Sequence, residues 1–234
     1  MSEEFQVGEE IVIRPTDFVM VVDNSGSMRD TAAAVRDNLG DFSDRLVDAG
    51  IDYTFTVIAR KGNSGTSVCV QPPMGGPDCS NKPGFRHIER RVSSSSALRD
   101  LSACYQGGDE SSEYQSMLRR DGLLQFIAVT DNESNMNWDD FRQQPMFRDY
   151  PDALFHAVVG LQNGGCVARV GNQYIRGARE TGGAQLSVCD GDWGHVLDVI
   201  LDTTLSFLTA SFQLSHVPKP GTLRVYTGQG PTRT

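Results

Sequence analysis

The chain has 234 residues, of which 38% are hydrophobic and 22% are charged, and its formal net charge at pH 7 is −9. This composition is typical of a folded globular protein rather than a disordered one. The negative charge argues against nucleic acid as the main partner, because phosphate binding requires a basic surface. No apolar run approaches the roughly 20 residues of a membrane-spanning helix, so the sequence predicts no membrane span.

The start of the chain, residues 1–16, is predicted to be an acidic lead-in with room for one short strand at 9–15. It has neither the basic beginning nor the apolar core of a signal peptide. Next, a continuous apolar run at 17–23 predicts a strand that is buried on both of its faces. Apolar residues at helical spacing follow and end at Gly50, which predicts a long helix.

Strands and helices then alternate along the rest of the chain. The sequence predicts strands at 52–60, 85–92, 123–131, 153–162 and 185–190 and helices at 96–105, 111–120, 174–183 and 192–212, with a Gly/Pro-rich loop at 61–84. Such alternation predicts an α/β domain with a mostly parallel sheet that is covered by helices on both faces. Residues 213–234 break the rhythm and are predicted to form a C-terminal extension, either an extra strand or the start of a truncated module.

The five cysteines include no CxxC pair, which argues against a zinc ribbon or a thioredoxin-type site. Cys69 and Cys79 flank a loop with little apolar content, which a disulfide would order. Cys166 and Cys189 lie beside predicted strands and form the second expected pair, which leaves Cys104 unpaired and buried. Two disulfides indicate an oxidising compartment. We therefore expect an extracellular, periplasmic or cell-surface protein whose export signal has been removed.

Small oxygen-bearing side chains cluster where the first predicted strand ends. The stretch "DNSGSM" places Asp23, Ser25 and Ser27 directly after that strand, and Asp131 ends a second buried strand. Because the carboxyl ends of parallel strands form one edge of a sheet, both carboxylates are expected to reach the same crevice. Carboxylates and hydroxyls without histidine or cysteine suit a hard ion. The sequence therefore predicts a site for Mg²⁺ (or Mn²⁺), which retains waters and leaves a position for an acidic group.

This motif resembles the DxSxS signature of von Willebrand factor A domains, which carry a metal-ion-dependent adhesion site. The resemblance spans residues 17–212. The strand ending in Asp131 looks like the one that bears the family's third-loop aspartate, and residues 174–193 are similar to the last helix–strand segment of secreted bacterial members. The resemblance implies a Rossmann-like, doubly wound sheet with the metal at its carboxyl edge.

By position, the resemblance assigns metal binding to Asp23, Ser25, Ser27 and Asp131. In the family the serines usually contact the ion directly, and the aspartates often act through water. The second loop usually supplies a threonine, but the corresponding stretch here, 104–114, contains none. Its candidate replacements are Asp109, Glu110, Ser111 and Ser112. An acidic donor there would strengthen metal binding and weaken the attraction of an acidic partner.

The same residues are open to other interpretations. Either serine could cap the helix that begins near Met28, and Asp131 could be a turn residue. A strand that ends in aspartate also occurs in haloacid-dehalogenase-type phosphatases, but these have a second aspartate where this chain has Ser25. "DNSGSM" is not the GxSxG elbow of serine hydrolases, and no G-x-G-x-x-G follows the first strand. We therefore expect a protein that is not an enzyme.

The resemblance implies metal-dependent adhesion. A carboxylate from a protein or surface ligand would complete the coordination shell of the ion, and variable loops would select the partner. The residues alone imply only the metal site. The alternative is a structural or assembly subunit of a surface complex, in which the metal site is vestigial or intramolecular.

Overall fold

The structure, a computed structural model, describes residues 14–107 and 112–210. Within these residues six strands form a single sheet in the order β3-β2-β1-β4-β5-β6, and all of its pairings are parallel. The strands are β1 (Thr16–Val22), β2 (Tyr53–Ala59), β3 (Phe85–Glu89), β4 (Leu123–Thr130), β5 (Leu154–Val159) and β6 (Gln185–Ser187). The helices are α1 (Arg29–Asp48), α2 (Ala97–Ala103), α3 (Trp138–Arg142), α4 (Pro145–Asp149), α5 (Asn172–Thr181) and α6 (Trp193–Ala210).

Both faces of the sheet are covered by helices, which explains why β1 is apolar from Phe18 to Val22. Phe18, Met20 and Val22 pack into a core with α1 and α6. Val19 and Val21 point to the opposite face and pack into a second core with α2, α3, α4 and α5. A strand with a core on each side has no polar face. The predicted α/β, Rossmann-like doubly wound fold is confirmed.

The strand order reverses between β1 and β4, the two central strands. The chain runs outward from β1 through β2 to β3, then returns to β4 on the other side of β1 and continues to β6. In open α/β sheets the loops diverge at such a reversal and leave a crevice at the carboxyl ends of the strands. The topology thus marks the carboxyl ends of β1 and β4 as the place for a ligand.

Most predicted elements are found, but the helix predicted at 111–120 is wrong. In its described part the chain forms only a short 3-10 turn, Gln115–Met117. Tertiary contacts explain the difference, because the N–H of Tyr114 donates to the carbonyl of Cys104 and its ring is fully buried. Conversely, the short helices α3 and α4 were not predicted from the sequence.

Some expectations concern parts of the chain outside the described residues. They are most of the strand predicted at 9–15, of which only residues 14 and 15 are described and form no strand, and the C-terminal extension at 213–234. In the part of the chain that the structure describes, no helix is both long enough and apolar enough to cross a membrane.

Both expected disulfides are present. Cys69 and Cys79 are joined across the Gly/Pro-rich loop, with their Cα atoms 5.0 Å apart. Cys166 and Cys189 join the loop after β5 to the segment after β6, with a Cα separation of 5.7 Å. Cys104 is free and buried, as expected.

A buried histidine forms part of a polar network inside the sheet. His156 of β5 is fully buried, and its Nδ1 accepts the N–H of Ala184 at 3.1 Å. The other ring nitrogen therefore carries the hydrogen, and it donates to Gln125 Oε1 at 2.7 Å. Thr204 donates to the same oxygen. Burial lowers the pKa of His156 to about 3, so the neutral ring is the folded form.

This histidine makes stability depend on pH. Between its unfolded pKa, about 6.5, and its folded pKa, only the unfolded state takes up the proton, so the free energy of unfolding falls as the pH decreases. The contribution approaches about 1.4 kcal/mol per pH unit in that window. We expect His156→Gln to flatten the slope of unfolding free energy against pH, measured by urea denaturation. Equal slopes for the wild type and the variant would contradict this role.

Candidate metal centre

The two predicted aspartates lie side by side at the carboxyl edge of the sheet. β1 and β4 are paired up to Val22 and Val129, and Asp23 and Asp131 follow the ends of these strands. The N–H of Asp23 continues the pairing by donating to the carbonyl of Val129 at 3.0 Å. The structure thus brings together two carboxylates that are more than a hundred residues apart in the chain.

The Asp23 carboxylate is held in place by two hydrogen bonds. Its side chain is fully buried, Oδ1 accepts the N–H of Ser25 at 2.7 Å, and Oδ2 accepts the hydroxyl of Thr130 at 2.8 Å. Burial raises the pKa of Asp23 and the nearby charge of Asp131 raises it further, whereas the hydrogen bonds from Ser25 and Thr130 lower it. A cation beside the pair would offset both the burial and the repulsion.

Asp131 is buried without any side-chain partner. It is only 2% exposed, and neither carboxylate oxygen has a hydrogen-bond partner among the described residues. Its backbone carbonyl, in contrast, accepts the N–H groups of Ala168 at 2.9 Å and Arg169 at 3.1 Å. A buried carboxylate without a partner is costly, since it has lost its water and gained nothing in return. Its two oxygens remain available to a ligand.

The two serines lie in the loop that leads from β1 into α1. Ser25 Oγ and Ser27 Oγ are 3.3 Å apart, and Ser27 is exposed. Ser25 precedes the 3-10 turn Gly26–Met28, yet its side chain makes no capping hydrogen bond. Helix capping therefore does not explain Ser25, and its hydroxyl remains available to an ion or a ligand.

Asn24, which the sequence analysis did not single out, ties this loop to its neighbours. Its side-chain oxygen accepts the N–H groups of Arg60 and Val92, and its side-chain amide donates to the carbonyl of Thr66 at 2.6 Å. The Thr66 hydroxyl donates back to the carbonyl of Asn24. Asn24 is thus fixed through both its side chain and its backbone carbonyl, which helps to orient its neighbours Asp23 and Ser25.

A serine run that was not among the predicted site residues also lies beside the centre. Residues 93–96 are all serine and lie between β3 and α2. The Thr130 hydroxyl that bonds Asp23 is also 3.2 Å from the carbonyl of Ser94, and the N–H of Asn135 donates to the carbonyl of Ser95. The sequence did contain a signal for this run, because four hydroxyl-bearing residues directly follow the strand predicted at 85–92. The carboxyl ends of parallel strands lie at the same edge of the sheet, so these serines could have been expected near Asp23 and Asp131.

The stretch assigned to the second loop, 104–114, is only partly described. Asp109 and Glu110, the acidic candidates, lie outside the described residues. Of the residues beside them, Glu113 pairs with Arg86, the second residue of β3, at 2.9 Å. Arg86 lies at the amino end of its strand, whereas Asp23 and Asp131 follow the carboxyl ends of theirs.

The donors at this edge fit a hard divalent ion. They are two carboxylates and two hydroxyls, and oxygen donors of this kind suit Mg²⁺ or Mn²⁺. Among the described residues, no three side chains of histidine, cysteine, aspartate or glutamate are grouped so as to hold a metal. A metal at this edge would therefore depend on the serine hydroxyls as well as on Asp23 and Asp131.

Two loops braced by disulfides flank the centre. One is the Gly/Pro-rich loop at 61–84, which follows β2, contains Cys69–Cys79 and reaches Asn24 through Thr66. The other is the loop at 160–171, which follows β5, is anchored by Cys166–Cys189 and donates two N–H groups to the carbonyl of Asp131. Each loop is thus bonded to Asp131 or to the neighbour of Asp23.

Comparison with known proteins assigns the chain to no family. No family model matches it, no curated protein matches its sequence, and no solved structure matches its fold. The resemblance to von Willebrand factor A domains therefore stays a prediction that depends on the motif and on the geometry of the site.

The buried charge of Asp131 can be tested through stability. Without divalent ions, we expect Asp131→Asn to be more stable than the wild type by about 1–3 kcal/mol, because it removes a buried charge that has no partner. With Mg²⁺ at 100 times its dissociation constant, the wild type should gain about 2.7 kcal/mol and the variant nothing. Thermal denaturation with and without EDTA measures both effects.

Asp37→Asn is the matched control, since Asp37 is exposed on α1 and its substitution changes the net charge equally. It should leave both the metal-free stability and the response to Mg²⁺ unchanged. A wild type whose melting temperature does not respond to Mg²⁺ or Mn²⁺ would argue against the metal centre.

Proposed function

We propose that this chain is a von Willebrand factor A-like adhesion domain that binds Mg²⁺ or Mn²⁺ and captures an acidic group of a protein or surface ligand. One observation carries the proposal. Asp131 is buried with both carboxylate oxygens unpartnered, directly beside the buried carboxylate of Asp23. Such an arrangement is expensive by itself and becomes favourable when a cation binds.

In this proposal each side chain has a separate task. Asp23 and Asp131 supply the negative charge that attracts the ion, and Ser25 and Ser27 supply neutral oxygens that hold it without cancelling its charge. Thr130 and Asn24 are positioning residues, because they orient Asp23 and the serine loop through hydrogen bonds. The bound ion would supply a positive charge that accepts a carboxylate oxygen from the ligand.

The charge of the protein makes the ion essential for this function. The net charge is −9, so the protein as a whole repels an acidic ligand. Only a local positive charge at the rim can reverse this repulsion. Binding of the acidic ligand should therefore fall sharply when the ion is removed.

A structural or assembly role is the second candidate, and one observation favours it. Both oxygens of Asp23 already accept hydrogen bonds from the protein itself. A carboxylate that is satisfied by the protein itself can stabilise the rim without taking part in recognition. This role predicts that assembly does not respond to a chelator. The adhesion function predicts that ligand binding is lost when a chelator is added.

An extracellular, periplasmic or cell-surface location is part of the same proposal. The two disulfides are compatible with such a compartment, because cytosolic thiols are usually kept reduced. An adhesion domain would meet its ligands there.

The metal affinity can be measured directly by titrating Mg²⁺ and Mn²⁺ in a calorimeter. We expect one ion per chain in the wild type and a loss of affinity of about 100-fold or more in Asp23→Ala, which removes a charged donor. Asp37→Ala is the matched control and should bind as the wild type does. The structural alternative would gain support if the wild type bound no ion.

Adhesion itself can be tested on a surface that carries carboxylates. We expect the protein to bind carboxymethyl dextran in the presence of Mn²⁺ and to leave the surface when EDTA is added, as followed by surface plasmon resonance. Asp23→Ala should not bind, which distinguishes capture at the centre from ion bridging elsewhere. Retention of the protein after chelation would contradict the proposed function.

A further inference from the structure

An open cleft lies next to the metal centre, on the side of β5. Its volume is about 430 Å³, and it is lined by Glu133, Asn163, Arg169, Val170 and Asn172. Three of these residues belong to the loop at 160–171, which contacts Asp131 through its backbone. The cleft and the candidate metal centre therefore share one wall.

Arg169 is the positively charged residue of this cleft. Its backbone N–H donates to the backbone carbonyl of Asp131 at 3.1 Å, so the backbone of Arg169 adjoins that of a candidate metal ligand. The side chain is exposed, and in the described parts of the chain no carboxylate forms an ion pair with it. The guanidinium group, with its planar array of donors, is therefore available to a ligand.

Glu133, the negative residue of the cleft, is already engaged. One of its oxygens accepts the N–H groups of Ser134 at 2.8 Å and Gln173 at 3.1 Å, and the other accepts that of Asn172 at 2.9 Å. Asn172 and Gln173 form the first turn of α5, whose N-terminal dipole offsets the charge of Glu133. Glu133 thus caps a helix and leaves Arg169 as the accessible charge.

The loop that carries Arg169 is held firmly. Besides the two bonds to Asp131 and the disulfide Cys166–Cys189, its ends are joined by the N–H of Gly171, which donates to the carbonyl of Gly160 at 2.9 Å. The loop also packs tightly, because a Cβ atom at Gly160 would lie 2.3 Å from Val167. A binding group on a loop that is already ordered costs little conformational entropy when a ligand binds.

We propose that Arg169 forms a second anion subsite and that the ligand is an acidic protein segment with two neighbouring carboxylates. This inference rests on the proposed function: one carboxylate completes the coordination shell of the ion, and the other pairs with Arg169 in the cleft. Arginine binds carboxylates through two parallel hydrogen bonds, so the second contact adds orientation as well as affinity. It would let the protein distinguish a doubly acidic segment from a lone carboxylate.

The test compares two peptides with blocked termini. Both contain the same aspartate, and they differ only at the position two residues after it, where one peptide has aspartate and the other has asparagine. Binding to the Mn²⁺-loaded protein is measured by calorimetry. For the wild type we expect the doubly acidic peptide to bind about tenfold more tightly, in line with a hydrogen-bonded charge pair. In Arg169→Ala this preference should disappear, while the affinity for the singly acidic peptide and for Mn²⁺ should stay the same.

Two controls sharpen the comparison. Arg179→Ala removes an exposed positive charge from the last turn of α5 and should retain the tenfold preference. The test variant, Arg169→Ala, keeps the backbone N–H that donates to the carbonyl of Asp131, so it should leave the metal centre intact. The second control is a conservative substitution at the same position. Arg169→Lys retains the charge but loses the paired donors, and it should show an intermediate preference.

The outcomes separate the two levels of the proposal. If neither peptide binds at millimolar concentration, or if binding persists in EDTA, the proposed function fails. If both peptides need Mn²⁺ and Asp23 but the preference is unchanged in Arg169→Ala, the adhesion function stands and the second subsite is refuted. An equal loss of preference in Arg179→Ala would also refute it, because net charge would then explain the effect.

Discussion

The parallel pairing of β1 with β4 forces two carboxylates into one buried position. Each strand has a core on both of its faces, so its path is determined by apolar packing, and the residue that follows it emerges at the carboxyl edge of the sheet. Asp23 and Asp131 lie there side by side, and the second has no partner at either side-chain oxygen. The apolar packing of the two strands thus keeps the carboxylates of Asp23 and Asp131 close together, although they repel each other.

The surroundings of this pair stabilise its geometry but leave its charge uncompensated. Asn24, Thr130 and the N–H of Ser25 orient Asp23 and its loop, while the backbone of the loop at 160–171 holds Asp131. These contacts come from neutral groups. The rim is therefore rigid and negative, which is the condition for selective binding of a small divalent ion, because preorganised donors need not be ordered when the ion binds.

The two disulfides contribute to the same arrangement. Each braces a loop next to a central strand, and each of these loops is hydrogen-bonded to Asp131 or to the neighbour of Asp23. Loops with several glycines would otherwise lose much conformational entropy on ordering. With the walls fixed, the proposed ion between the aspartates and Arg169 in the adjacent cleft would give an acidic protein a localised positive charge for the proposed acidic partner. Local electrostatics then outweigh the net charge, since screening by salt limits the reach of the distant charges.

The sequence by itself determined the features that depend on local pattern. Continuous apolar runs predicted the buried strands and glycines predicted the helix ends. The positions of Asp23 and Asp131 at the ends of such runs were enough to predict that they meet at one edge. What only the tertiary structure decided is which loops reach that edge. Contacts with Cys104 and Arg86 overrode the helix predicted at 111–120. The serine run 93–96 is linked to Asp23 through the Thr130 hydroxyl, which lies within hydrogen-bond distance of both Asp23 and the carbonyl of Ser94, and Arg169 is linked to Asp131 through a backbone hydrogen bond. Such contacts leave no periodic signal in the sequence, because a backbone donor or acceptor is present at almost every residue whatever its side chain.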